Sequence, residues 1–241
     1  MSFDKTIGYG SLDDVDYIKQ KNCVKIFRNI LDSYNVEITE DTKILVAGAG
    51  NGIEGVLVKD VFNCIVNAVD LNLSRYIIES NAEIDFSFQD LMSLSFSDYS
   101  FSLIYNIHVL EHVPDHYKVL SELHRVLVNG GILLIGFPNK NRILGYISPS
   151  IKVGFWDIIK WNFNDLGKRL IGKFDNKYGA HAGFTQKEFI NDAQKLFKST
   201  IPIRNEYMSI KYRKYKHLIK LLIILKLEEF IFPSNYFICI K

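Results

Sequence analysis

The sequence contains little cysteine: its 241 residues include three, Cys23, Cys64 and Cys239. They lie far apart and form no CxxC pair, so a disulfide framework is not predicted. Two of them sit inside apolar stretches, where a thiol usually fills buried space. This usage is typical of a reducing compartment, and we expect the protein to be cytoplasmic.

The sequence also lacks an excess of charge of either sign, with 29 basic residues against 27 acidic ones. A nucleic-acid-binding protein usually has a basic excess, so that class of partner is not favoured. The most apolar run, LIKLLIILKL at 218–227, is interrupted by lysines and is too short to span a bilayer. The first residues, MSFDKTIGYG, do not have the basic start and apolar core that a signal peptide needs.

Short apolar runs alternate with helical patterns along the chain, which favours an α/β domain with a parallel sheet. Helices are predicted at 15–35, from about Pro114 to the stop at Asn129-Gly130-Gly131, and at 184–197, where Thr185 and Glu188 form a capping box. The predicted strands are KILVAGAG (43–50), CIVNAVDLN (64–72), DFSFQD (85–90), FSLIYNI (101–107), GILLIGFPN (131–139), TIPIRNEYM (200–208) and NYFICIK (235–241).

The length suits a single domain over 1–241, with an N-terminal cap helix at about 13–36. Residues 140–180 interrupt the alternation and are interpreted as an inserted lid, whose aromatic residues Phe155, Trp156, Trp161 and Phe163 are expected to form a small core. A basic-apolar helix is predicted at 211–229. Its basic run is interpreted as a solvated face, and contact with a membrane surface is the less favoured alternative.

Polar residues and glycines follow the predicted strands. The first strand ends in Gly48, Gly50 and Gly52, the second in Asp70 and the third in Asp90. Ligands of open parallel sheets bind beyond the carboxyl ends of the strands. Glycines there let a ligand approach the backbone and the next helix N-terminus, while Asp70 can accept both hydroxyls of a ribose.

The fourth strand is followed by NIHVLEHVPD at 106–115, in which His108, Glu111 and His112 have the H-x-x-E-H spacing of one zinc-protease signature. That signature requires both histidines on one face of a helix. Here a strand pattern precedes the motif and Pro114 follows it, so an uninterrupted helix is not available. No metal site is therefore predicted.

The segments VAGAGNG, VDLN, FQDL and VLEHVPD…LSELHRVLVNGGILLIGFPN together resemble the class I S-adenosylmethionine-dependent methyltransferases, in the type-11 branch that includes ubiquinone-pathway O-methyltransferases. The resemblance covers about residues 40–140, although Val46 stands where the family usually has an acid. It implies a Rossmann-like seven-stranded sheet of order 3-2-1-4-5-7-6, with strand 7 antiparallel and helices on both faces. It also implies S-adenosyl-L-methionine as the cofactor.

The resemblance implies a set of cofactor-binding residues: Gly48, Ala49, Gly50, Gly52, Asp70, Leu71, Asp90, Leu91, Asn106 and His108. The candidate catalytic residues are His112, His108 and His181, since an oxygen acceptor must lose its proton. For His112 and His181 a purely structural hydrogen bond is an equally good interpretation. In related O-methyltransferases, an acid and a histidine here can also hold a divalent metal near the acceptor.

The expected activity is methyl transfer to a small-molecule acceptor, most simply an oxygen of a sugar, a phosphate-bearing metabolite or a quinone-like ring. Two alternatives remain open. Gly50, Gly52 and Gly55 spell G-x-G-x-x-G, which with Asp70 could bind NAD in a reductase. The fold could also serve as a binding module without catalysis. The sequence does not indicate the oligomeric state.

Overall fold

The computed structural model describes residues 14–50, 52–71, 84–143, 145, 154–178 and 180–241. Its centre is a seven-stranded sheet of order β3-β2-β1-β4-β5-β7-β6, which confirms the predicted fold. β7 runs antiparallel to both β5 and β6, and the other neighbours are parallel. The strands are β1 Lys43–Ala47, β2 Ile65–Asp70, β3 Ile84–Phe88, β4 Phe101–Ile107, β5 Leu127–Pro138, β6 Ser199–Pro202 and β7 Ser234–Ile240.

The central strands are apolar along almost their whole length because helices cover both faces of the sheet. In β1 four of five residues are buried, and in β4 six of seven. The helices are α1 Asp14–Ser33, α2 Ile53–Phe62, α3 His116–Val126, α4 Phe155–Leu170, α5 Gln186–Ala193, α6 Arg204–Lys211, α7 Lys216–Ile224 and α8 Glu228–Ile231.

Two hydrophobic cores form, one on each face of the sheet. The first includes buried residues of α1, α2 and α6, such as Phe27, Leu57 and Tyr207. The second includes buried residues of α3 and α5, such as Leu123 and Phe189. The α5 capping box forms as predicted. The prediction of one domain over 1–241, with its cap helix and its lid, stays a prediction for the chain as a whole.

Three predicted element boundaries are wrong. The run TIPIRNEYM is not one strand, because β6 ends at Pro202, whose nitrogen cannot donate to a ladder, and α6 begins at Arg204. The helix predicted at 211–229 is broken, since Lys226 has a φ of +56° between α7 and α8. Helix α3 ends at Val126 and not at Asn129-Gly130-Gly131, because the chain enters β5 at Leu127.

The aromatic residues of 140–180 do not form the expected internal core. Trp156 and Phe163 on α4 are 77% and 68% exposed, while Trp161 is half-buried. The side chain of Phe155 lies outside the described set. The interpretation fails because Trp156 and Phe163 lie on the side of α4 away from Asp165, which is buried against Arg142. In the described part of the chain, no helix is long and apolar enough to cross a membrane.

Candidate functional site

The loop after β1 is shaped by glycines in left-handed conformations. Gly48 has a φ of +84°, and a Cβ placed on it would lie 2.4 Å from a methyl group of Val109. The loop that follows β4 therefore sits directly against the glycine loop, and only glycine allows that approach. Gly50, with a φ of +57°, has open space where a Cβ would be. This open space leaves the backbone of the loop accessible to a ligand.

Asp70, at the end of β2, ties the glycine loop to the neighbouring strand. Its Oδ2 accepts a hydrogen bond of 2.9 Å from the Gly50 backbone N–H. The Gly48 and Ala49 N–H groups donate to the Val69 carbonyl at 2.8 and 2.9 Å. The carboxylate predicted to bind ribose is thus held in place beside the glycine loop.

The remaining predicted cofactor residues lie in different settings. Asp90 follows β3, and its Oδ1 accepts from the Met92 N–H at 2.8 Å, which turns the chain. Leu71 is 57% exposed, whereas Leu91 is 5% exposed. Leu71 follows β2 and Leu91 follows β3, as predicted. Contact of either residue with a cofactor stays a prediction.

Asn106 lies inside the sheet and is fully buried. Its Nδ2 donates to the Ala47 carbonyl at 2.8 Å, so it joins the ends of β4 and β1. Its Oδ1 is buried without a hydrogen-bond partner among the described residues. A buried amide oxygen without a partner is costly, which suits a site completed by a donor from a ligand.

The H-x-x-E-H segment folds as a bent loop and not as a continuous helix. His108 adopts a φ of +58° and its N–H donates to the Gly136 carbonyl at 2.7 Å. A single 3-10 turn, Leu110–His112, follows. Helix α3 begins only at His116, after its N-cap Asp115. The described residues contain no group of three or more metal-binding side chains in reach of one ion.

Glu111 is the buried centre of this loop, with a side chain only 2% exposed. Its Oε1 lies 3.5 Å from His108 Nδ1 and 3.9 Å from His112 Nε2. Its Oε2 is buried and has no hydrogen-bond partner in the described part of the chain. A shielded carboxylate between two imidazoles can orient them and stabilise either one when it is protonated.

His181 reaches the same place from a segment far along the chain. Its ring centroid lies 4.7 Å from that of His112, at an interplanar angle of 75°. Burial lowers the pKa of His181, and the neighbouring His112 lowers it further. Both effects favour the neutral form of His181. All three candidate catalytic histidines thus gather around Glu111, at the carboxyl end of β4.

Arg142 fixes the segment that carries His181, and sequence reasoning did not identify it. The guanidinium donates to the carbonyls of Asn139, His181 and Ala182 at 2.9–3.1 Å. It also pairs with Asp165 of α4 at 3.3 Å, and both side chains are more than nine-tenths buried. One arginine in a polar run gives no local signal for this role, because its partners lie 3 to 40 positions away.

Glu54, in the first turn of α2, is a second residue that the sequence did not single out. Burial raises the pKa of its carboxyl group to about 7, although the nearby His108 opposes the shift. The residue as a whole is half-buried. An acid that titrates near neutrality beside the glycine loop makes the local charge depend on pH.

Comparison with known proteins agrees with this geometry. Residues 45–135 match the family described as "Methyltransferase domain". A probable S-adenosylmethionine-dependent methyltransferase of Mycolicibacterium smegmatis is 30% identical over 98 residues, which is 40% of this chain and 38% of that protein. Phosphoethanolamine N-methyltransferase 2 of Caenorhabditis elegans is 29% identical over 99 residues, 38% of this chain and 23% of that protein.

A solved structure shows the same fold across the full length of the chain. It is Haemonchus contortus phosphoethanolamine N-methyltransferase 2 in complex with phosphomonomethylethanolamine and S-adenosylhomocysteine. The TM-score is 0.57 at 13% identity, covering 100% of this chain and 61% of that one. At this identity the likeness concerns the fold alone. The chain spans less than two thirds of the length of the curated relatives it matches.

Proposed function

The chain belongs to the class I S-adenosylmethionine-dependent methyltransferases of the type-11 branch, and from this premise we propose that it methylates an oxygen of a small molecule. The observation that carries the proposal is the contact of two loops. Val109, from the loop that bears the histidines, lies against Gly48 of the glycine loop. A cofactor on the glycine loop would therefore lie beside His108 and His112.

The residues at the strand ends suit S-adenosylmethionine. Gly50 leaves its backbone open, Asp70 presents a carboxylate at the position for ribose hydroxyls, and Asn106 has a buried oxygen that needs a donor. When bound, the cofactor supplies a sulfonium methyl group that needs no further activation. The protein's task is then to orient the acceptor oxygen in line with that methyl group and to exclude water.

We assign the removal of the acceptor's proton to His112. It is half exposed on the loop, with its Nε2 3.9 Å from the buried Glu111. As His112 takes up the proton, the Glu111 carboxylate stabilises the positive charge. His181 packs against the His112 ring, and its favoured neutral form does not repel that charge. His108, on the other side of Glu111, is the second candidate for the base.

The acceptor class we propose is an oxygen of a sugar, a phosphate-bearing metabolite or a quinone-like ring. Nitrogen is the competing acceptor atom, since one relative is named as a phosphoethanolamine N-methyltransferase. Oxygen and nitrogen acceptors can be distinguished by their need for a general base. An amine that is already neutral needs no proton removed before attack, whereas a hydroxyl does, so loss of His112 should matter far more for oxygen.

Calorimetry with S-adenosylhomocysteine and with NADH tests the proposed cofactor. We expect micromolar binding of S-adenosylhomocysteine and no binding of NADH. Tight NADH binding without a response to S-adenosylhomocysteine would contradict the proposal and favour a reductase.

Elemental analysis of protein purified without chelator tests whether the site holds a metal ion. One equivalent of zinc whose removal abolishes activity would contradict the histidine-base mechanism.

We also propose a cytoplasmic location. Cys23, Cys64 and Cys239 are free thiols. Burial raises the pKa of Cys64 to about 11 and that of Cys239 to about 12, so both stay protonated and unreactive. Thiol labelling of protein from its native cells checks this, because a cross-linked cysteine would contradict it.

A further inference from the structure

Helix α7 exposes a stripe of apolar side chains. Ile219 is its only buried residue, while Leu218, Leu221 and Ile224 are 54%, 50% and 65% exposed. Leu225, which directly follows the helix, is 55% exposed. At 100° per residue these four side chains share one side of the helix, next to the side that faces the core. A helix that only covered a sheet would turn such residues inward.

Helix α4 repeats the pattern at the lid. Trp156, Phe163 and Leu170 recur every seven residues and are 77%, 68% and 81% exposed. The opposite side of α4 buries Asp165 against Arg142. The helix thus exposes three large apolar side chains on the side away from Asp165, although Trp161 and Ile158 are half-buried on its inner side.

Helices α4 and α8 are both attached to one short segment that follows β5, and α8 comes directly after α7 in the chain. Arg169 of α4 donates to the carbonyls of Lys140 and Arg142 at 2.8 and 2.6 Å. The N–H of Ile143 donates to the Phe230 carbonyl of α8, just beyond α7, at 2.7 Å. Ile143 and Phe230 are themselves 62% and 44% exposed. Two further exposed apolar side chains therefore lie at the junction that joins α4 to α8.

The chain along α7 is basic, while the acids next to the apolar side chains in sequence are Asp157 of α4 and Glu228 and Glu229 of α8. Residues 211–227 contain six lysines and arginines and no aspartate or glutamate. On α7, Lys220 lies about 40° around the helix from Ile224, at one edge of the apolar stripe, and Lys216 lies about 40° further round, near the side opposite Leu218. Lysine stems can lie along an apolar surface while their ammonium groups reach an anionic layer. The basic residues are Lys211, Arg213, Lys214, Lys216, Lys220 and Lys226.

We propose that α4, α7 and the residues Ile143 and Phe230 between them form a face that binds an anionic lipid membrane. In this arrangement the apolar side chains enter the boundary of the acyl chains, and the basic residues contact anionic headgroups. The protein lies on the bilayer and does not cross it. The inference does not depend on the proposed reaction, and its test needs neither cofactor nor acceptor.

Flotation of the full chain with vesicles is the direct experiment. We expect strong binding to vesicles of equal parts phosphatidylcholine and phosphatidylserine, weak binding to phosphatidylcholine alone, and a loss of binding as salt is raised. Failure to bind the anionic vesicles at low salt would overturn the proposal. Equal binding to both kinds of vesicle would overturn the role given to the basic residues.

Two double variants locate the face. Lys216→Glu with Lys220→Glu should lower partitioning by more than about twenty-fold, because each basic residue at an anionic surface is worth a factor of about five. Lys118→Glu with Lys187→Glu is the matched control, since these exposed lysines lie on α3 and α5, which cover the other face of the sheet. Equal loss in both pairs would mean nonspecific charge attraction and would overturn the proposed face.

Tryptophan fluorescence tests the contribution of α4 separately. The chain has two tryptophans, Trp156 and Trp161, and the first is exposed. A blue shift with anionic vesicles that disappears in Trp156→Phe supports insertion of α4. A shift that persists in Trp156→Phe would contradict insertion of α4.

Concentration-dependent self-association without lipid would contradict the membrane proposal if Leu218→Glu with Leu221→Glu abolishes it. The apolar face would then bind a second copy of the chain.

Discussion

The two halves of the proposed site, a cofactor side and an acceptor side, are built in different ways. The cofactor side consists of strand ends, where Gly48, Gly50 and Asp70 are placed by adjacent parallel strands within 23 residues of sequence. The acceptor side consists of Glu111 and of His181, which lies 70 residues away and is held by Arg142. The cofactor side follows from local sequence, whereas the acceptor side depends on tertiary contacts. Substitutions should therefore affect the two sides separately.

The largest expected effect concerns the proposed base. His112→Ala should lower kcat by about a hundred-fold to ten-thousand-fold, the usual contribution of a general base. The affinity for S-adenosylhomocysteine should stay nearly unchanged, because His112 contacts the acceptor's proton. Single-turnover rates and calorimetry on the same sample measure the two quantities.

His108→Ala and His181→Ala are the matched controls for that experiment, because both rings lie in the same cluster. If His112→Ala keeps full activity and one of them does not, the base is reassigned to that residue. If all three variants stay fully active, the cluster is scaffolding and the acceptor loses its proton without help from a histidine.

The second effect concerns the buried pair that positions the acceptor side. Arg142→Met leaves Asp165 buried without its partner, which typically costs about 3–5 kcal/mol. We expect a large loss of turnover, because the His181 segment loses its anchor, with little change in cofactor affinity. Urea unfolding reports the stability, and calorimetry with S-adenosylhomocysteine reports the cofactor side.

The double variant Arg142→Met with Asp165→Leu sharpens that result, since it removes both charges and should recover part of the stability. If the double variant is no more stable than the single one, the Arg142–Asp165 pair is not what keeps α4 attached to the segment after β5. A parallel loss of cofactor affinity in either variant would show that the two sides of the site are not independent.

The third effect lies on the cofactor side. Asp70→Ala should weaken S-adenosylhomocysteine binding ten-fold or more, because each charge-assisted hydrogen bond is worth about 1.5–3 kcal/mol. It also removes the acceptor for Gly50 N–H. Asp70→Asn keeps a neutral acceptor for that amide, so it separates the support of the loop from the contact with ribose.

If Asp70→Asn binds as tightly as the unmodified protein while Asp70→Ala does not, Asp70 acts only by holding the glycine loop. Unchanged affinity in a folded Asp70→Ala protein would show that Asp70 does not contact the cofactor at all. Circular dichroism confirms folding in both cases.

The smallest effect comes from Glu54, whose carboxyl pKa rises from 4.5 to about 7 on folding. An acid with a raised pKa contributes stability that is fully present below pH 4.5 and is lost as pH rises through about 7. The loss is on the order of 1–3 kcal/mol after allowance for the partial exposure of the residue. Glu54→Gln should lack this loss, so urea unfolding at pH 5 and pH 8 should differ less in the variant. An identical pH dependence in both proteins would contradict the shift.

The sheet was predictable from the sequence because its buried strands are apolar runs. The runs that form β1 and β2 end in a glycine or an acid, Gly48 after β1 and Asp70 in β2. The boundary errors arose where such runs continue past a strand. Arg204 lies two residues after the end of β6, where it begins α6, and it is buried with a hydrogen bond to Asn235. Those contacts are not visible in the order of residues.

On the acceptor side, the three histidines were identified by residue type and motif, but their arrangement was not. The burial of Glu111 between His108 and His112 could not be predicted, since a glutamate in a loop is usually exposed. Nor could the sequence show that α4 is turned with Trp156 outward, because an amphipathic pattern specifies two faces and leaves open which one meets the protein.

Arg142 has a further consequence for local unfolding. Its guanidinium binds carbonyls or a carboxylate of three separate segments, represented by Asn139, His181 and Asp165. None of these segments can leave without breaking the same group of bonds. We therefore expect α4, the start of the lid and the His181 loop to open as one cooperative unit, with a single opening free energy below that of the sheet. Amide hydrogen exchange would show this as a shared rate, and heating would then abolish the proposed activity before it unfolds the sheet.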